Sequence, residues 1–69
     1  MKKILEKFAI SVADQTVLIT HDGYKFLCNQ EDAQKEIKEA IKFSIEKDGN
    51  SDGFMPYNNF ECSVKWEVI

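Results

Sequence analysis

The segment FECSVKWEVI, residues 60–69, alternates apolar and polar residues without a break, and this constrains the fold more than any other stretch. Period two places Phe60, Cys62, Val64, Trp66 and Val68 on one face and Glu61, Ser63, Lys65, Glu67 and Ile69 on the other. That is the pattern of a half-buried strand. A strand of this kind needs paired neighbours and a cover for its apolar face.

The neighbours are sought upstream. Residues 4–12 alternate as Ile4, Glu6, Phe8, Ile10 and Val12. In VLITHDGYKFL, Asp22-Gly23 is a preferred two-residue hairpin turn, because both central positions need positive φ. A turn there sets His21 opposite Tyr24, Ile19 opposite Phe26 and Val17 opposite Cys28, all on one largely apolar face. Leu18 then faces Leu27 on the other side. A second turn around Asp14-Gln15 brings Val12 opposite Val17 and Ile10 opposite Ile19. Residues 3–28 thus read as a three-stranded antiparallel meander.

The cover follows in NQEDAQKEIKEAIKFSIEKDG. Asn29 suits the N-cap, and Glu31 and Asp32 suit the positive end of a helix. Ala33, Ile37, Ala40, Ile41, Ser44 and Ile45 recur at helical spacing, with Phe43 at the edge of the stripe. Lys47 fits the last turn and Gly49 the left-handed position after it. The expected fold is α+β, β-β-β-α-β, with one helix on one face of a four-stranded, mainly antiparallel sheet. A crossover through the helix makes the last strand parallel to the first and third, in sheet order 4-1-2-3. Residues 1–69 form a single domain, too small to bury a deep cavity.

The chain carries a net charge of −3, and all nine of its basic residues are lysine. Arginine is the usual bidentate reader of guanine and phosphate. Its absence from an acidic chain argues against direct nucleic-acid binding, while an acidic protein that competes with nucleic acid for a larger protein with a basic, nucleic-acid-binding surface stays open. No apolar run reaches the length of a membrane span. Cys28 and Cys62 stand alone with no C-x-x-C, which reads as reduced thiols in a cytoplasmic protein.

Few residues suggest chemistry. DGNSDG, residues 48–53, matches the first half of a calcium loop, with Asp48, Asn50 and Asp52 at alternate positions and Gly53 at the turn. The bidentate glutamate that should close the loop is Asn59, and Pro56 interrupts it, so the segment reads as an acidic hinge. In the expected hairpin His21 and Cys28 lie ~13 Å apart, too far for a nucleophile pair. No catalytic, metal or cofactor residues are assigned. The face turned away from the helix is more informative. It gathers Leu5, Ala9, Ser11, Leu18, Leu27 and Ile69, and one helix leaves it uncovered. Leu18 and Leu27 there, with the acidic Glu46, Asp48 and Asp52, are the expected partner-binding residues.

EDAQKEIKEAIKFSIEKDG followed by GFMP resembles the toxin-binding domain of HicB-type antitoxins, in which a helix is followed by an acidic loop, a proline and a last alternating strand. The chain departs from that pattern in lacking a proline-glycine segment before the helix. The resemblance implies a small cytoplasmic protein that neutralises another protein by binding it. The expected function is a non-enzymatic inhibitor or regulator of a larger protein, of the phage anti-defence (anti-CRISPR-like) kind. The alternatives are an antitoxin-like neutraliser, a metal-binding module at Asp48–Gly53, and a homo-oligomeric enzyme with a site between chains; a homodimer fits the first reading as well.

Overall fold

The computed structural model describes residues 2–57 and 62–69. It is an α+β fold: one open, four-stranded antiparallel sheet with one helix across one face. The strands are β1 (Ile4–Val12), β2 (Gln15–Gly23), β3 (Asp52–Tyr57) and β4 (Cys62–Val68), and the helix α1 (Glu31–Asp48) lies between β2 and β3. The element order is therefore β-β-α-β-β, and the sheet order is β1-β2-β4-β3 rather than the expected 4-1-2-3. β4 pairs antiparallel with both β2 and β3. The parallel relation that the crossover demands thus falls between β2 and β3, with β4 inserted between them as in a split β-α-β unit.

Two turns account for the difference. The β1–β2 hairpin closes at Ala13-Asp14, with φ of 51° and 63°, the type I′ geometry that matches strand twist. Val12 pairs with Gln15, Ile10 with Val17 and Phe8 with Ile19. This register is two residues from the expected one, so every side chain keeps its face. Asp22-Gly23 is not a turn. It continues β2, where Asp22 pairs with both Leu5 and Ser63. A Cβ on Gly23 would crowd Cys62 Sγ and come within 2.8 Å of His21 Nε2, so glycine is needed there for close packing. No strand follows. The chain leaves the sheet at Tyr24, and a short 3₁₀ turn over Leu27–Asn29 leads into α1.

The helix lies where its stripe predicts. Ala33, Ile37 and Ile41 are buried against Val12, Val17, Ile19, Val64 and Trp66. Each large side chain so buried contributes about 1.5–3 kcal/mol. Asn29 does not cap the helix. Gln30 occupies that position without a side-chain bond, and Gln34 reaches back to the carbonyls of Leu27 and Cys28 instead. At the far end Gly49 adopts φ 68°, ψ 24°, and its N–H reaches the Ile45 carbonyl, as the expected left-handed stop.

The strand β3 is an addition to the expected fold, which has only an acidic hinge between the helix and the last strand. Pro56 sits on the outer strand of the sheet, where a missing N–H is tolerated. Gly53 lies opposite Trp66, whose indole packs onto it; a Cβ there would meet Nε1 at 2.6 Å. Of the expected last strand, Phe60 and Glu61 lie outside the described residues, as does Asn59.

Candidate docking face

The strands turn alternate residues toward α1 and away from it, so the open face is read in rows across β1, β2, β4 and β3. The first row is Leu5, Asp22, Ser63 and Pro56. The second is Lys7, Thr20, Lys65 and Phe54, and the third is Ala9, Leu18, Glu67 and Asp52. Five large apolar side chains are strongly exposed among the described residues: Leu5, Phe26, Phe43, Phe54 and Ile69. Leu5 and Phe54 belong to this face, and Ile69 continues its alternation beyond β4. A shallow depression of about 410 Å³ lies between Leu18, Thr20, Phe54, Lys65 and Glu67.

The expected binding residues divide over three places. Leu18 is half-buried on the open face, and Asp52 joins it in the same row through Glu67. Leu27 is not its neighbour. It is 2% exposed in the 3₁₀ turn and belongs to the core under α1. The Asp22-Gly23 turn that placed Leu27 on the open face does not form. Glu46 and Asp48 are exposed on the last turn of α1, in the other layer. Phe26, expected on the apolar face opposite Ile19, is instead 54% exposed.

DGNSDG is not arranged as an ion loop. Asp48 ends α1 and Asp52 begins β3. Between them Asn50 turns back to the helix, its N–H to the Ser44 carbonyl at 3.3 Å and its Nδ2 to Ser44 Oγ at 2.8 Å. Among the described residues no group of three or more His, Cys, Asp and Glu is placed to hold a metal ion.

A polar cluster under the helix was not foreseen. Glu6 and His21 are cross-strand partners on the covered face. The Glu6 side chain is 8% exposed and His21 is fully buried. Glu6 Oε1 accepts the Leu27 N–H at 2.6 Å and the Cys28 N–H at 3.1 Å, and Oε2 accepts the Cys28 S–H at 2.8 Å. His21 Nδ1 lies 3.4 Å from Oε1, and neither ring nitrogen has a hydrogen-bond partner among the described residues. Burial raises the Glu6 pKa, but the bonds from Cys28 and Leu27, with His21 alongside, outweigh it and hold the carboxyl below its usual range. Glu6 therefore fastens the 3₁₀ turn to the sheet.

The same cluster decides what the thiols can do. Cys28 gives its S–H to a carboxylate, which pushes the thiol pKa up and makes the thiolate scarcer. That is the reverse of nucleophile activation. Cys62 is buried beside Gly23, and both cysteines are free. One signal for the cluster was present in the sequence: Glu6 and His21 occupy apolar phases of alternating strands. Comparison with protein-family models, with curated proteins and with solved structures finds no match to this chain.

Proposed function

We propose that this chain is a non-enzymatic binding module that inhibits or regulates a larger protein by laying its open sheet face on that protein's working surface. The observation that carries the reading is that one sheet face, which no described element covers, exposes Leu5, Phe54 and Ile69 and carries the half-buried Leu18. Exposed apolar side chains set among polar ones on an uncovered face mark docking surfaces more often than chance. Strand residues on the face include three acids, Asp22, Asp52 and Glu67, against Lys7 and Lys65. With a net charge of −3, this favours a partner whose working surface is basic, such as a nuclease of host defence or a toxin that handles nucleic acid.

The test compares capture by the wild-type chain with capture by two surface variants. Leu18→Glu places a charge at the centre of the face, and Phe43→Glu changes an equally apolar but separate site on α1. A stoichiometric partner retained by Phe43→Glu and lost by Leu18→Glu supports the reading. Retention by both removes the open face from the function.

A further inference from the structure

We infer that β1 is a self-pairing edge, through which two copies of this chain join into one continuous eight-stranded sheet. The inference goes beyond the proposed function, because it uses a different surface and leaves both open faces uncovered.

The two edges of the sheet are unequal. β3 is six residues long and contains Gly53 and Pro56, features that blunt an edge against further pairing. β1 has nine residues and neither glycine nor proline. Its hydrogen bonding follows from the hairpin. Val12 and Gln15 flank a two-residue turn and form a hydrogen-bonded pair, as do Ile10–Val17, Phe8–Ile19, Glu6–His21 and Ile4–Gly23 in turn. Leu5, Lys7, Ala9 and Ser11 therefore aim their N–H and C=O groups away from β2, along the free edge.

The strand that fits this edge is β1 of a second copy. Phe8 is the midpoint of β1, so a two-fold axis at Phe8 pairs all nine residues of one copy with all nine of the other. Lys7 then meets Ala9 of the second copy, and Leu5 meets Ser11. These four hydrogen-bonded pairs give about eight backbone bonds. On the helix side Phe8 meets Phe8, Ile10 meets Glu6 and Ile4 meets Val12. No charge stands directly opposite a like charge. Moving the axis to Lys7 opposes two ammonium groups, and moving it to Ala9 leaves Ile4 and Leu5 unpaired, so the charge pattern and the strand length favour the same register. Phe8 and Ile10 are only partly buried in the single chain, and a groove of about 280 Å³ runs between Ile10 and Gln34, Lys35 and Lys38 of α1. Pairing through β1 closes that side.

Sedimentation of the full chain from micromolar to millimolar concentration, with amide hydrogen exchange on the same samples, tests this. The expected result is a monomer–dimer equilibrium in which protection of the Lys7 and Ala9 amides rises with concentration. Ala9→Pro removes one outward N–H without touching the β1–β2 ladder, and it should weaken dimerisation by about tenfold or more. Leu18→Glu should dimerise as the wild type does while losing the captured partner, which keeps the two readings apart. A wild-type chain that stays monomeric overturns the inference. So does a dimer whose Lys7 and Ala9 amides stay unprotected, or one that Leu18→Glu abolishes. The exchange measurement on the wild type decides the matter even if Ala9→Pro fails to fold.

Discussion

Replacing Glu6 by glutamine removes one charge and changes little else, so it isolates what the buried cluster contributes. Three donors converge on this carboxylate: Leu27 N–H at 2.6 Å, Cys28 N–H at 3.1 Å and Cys28 S–H at 2.8 Å. Hydrogen bonds to a charged group contribute about 1.5–3 kcal/mol each, and neutral ones about half of that. The Cys28 donors are exposed and can turn to water, so the Leu27 bond, which is partly buried, carries most of the loss. Glutamine keeps one acceptor oxygen and brings an NH₂ against donors. The expected cost is about 1–2 kcal/mol, and for Glu6→Ala about 2–4 kcal/mol, since an inside donor is then left unpaired. In a domain of this size that lowers Tm by roughly 4–8 °C per kcal/mol. The pH dependence has a fixed sign. The folded-state pKa of Glu6 is lowered, so its contribution is complete above the ordinary glutamate range and fades as pH falls through the folded value. Urea denaturation followed by Trp66 fluorescence, at neutral pH and near pH 3, measures the gap between wild type and Glu6→Gln. The gap should be open at neutral pH and narrow in acid. Equal stability at neutral pH, or a gap that acid leaves unchanged, refutes the clamp.

Other consequences follow from single positions. Ala13 and Asp14 both sit at positive φ without being glycine, so Ala13→Asn with Asp14→Gly should raise stability by about 1 kcal/mol in thermal melts. Gly53→Ala drives a methyl against the Trp66 indole and should cost about 1–3 kcal/mol, with a shifted tryptophan emission. Cys28 should react slowly with iodoacetamide near pH 8 despite its exposure, and faster in Glu6→Gln, with mass spectrometry reading the adduct.

The sequence disclosed faces better than connections. Phe8, Ile10, Val12, Val17, Ile19, Val64, Trp66 and Val68 all lie on the side they were expected to occupy. Alternation alone assigns a face, and the register error in the first hairpin was an even number of residues. The turn itself was hidden, because alanine at φ 51° has no sequence signature. The stronger local signal, Asp22-Gly23, was overridden by tertiary packing: β2 gains Ser63, Leu5 and Ile4 as partners by running through it. One displaced turn then carried Phe26, Leu27 and Cys28 off the sheet, removed Leu27 from the candidate site and changed the sheet order. β3 stayed hidden because Pro56 is excluded from central strands but permitted on an edge. Of the docking site, Leu18, Leu5 and Ile69 were legible from alternation, whereas Phe54 required the strand that proline concealed.

The account rests on the open sheet face as the surface that meets the partner, and footprinting of the captured complex tests that directly. Side-chain oxidation labelling, read residue by residue with and without partner, should show Leu5, Leu18 and Phe54 protected in the complex while Phe43 on α1 stays as reactive as in the free chain. Protection of Phe43, with Leu18 and Phe54 unchanged, would place the partner on the helix and contradict the central claim.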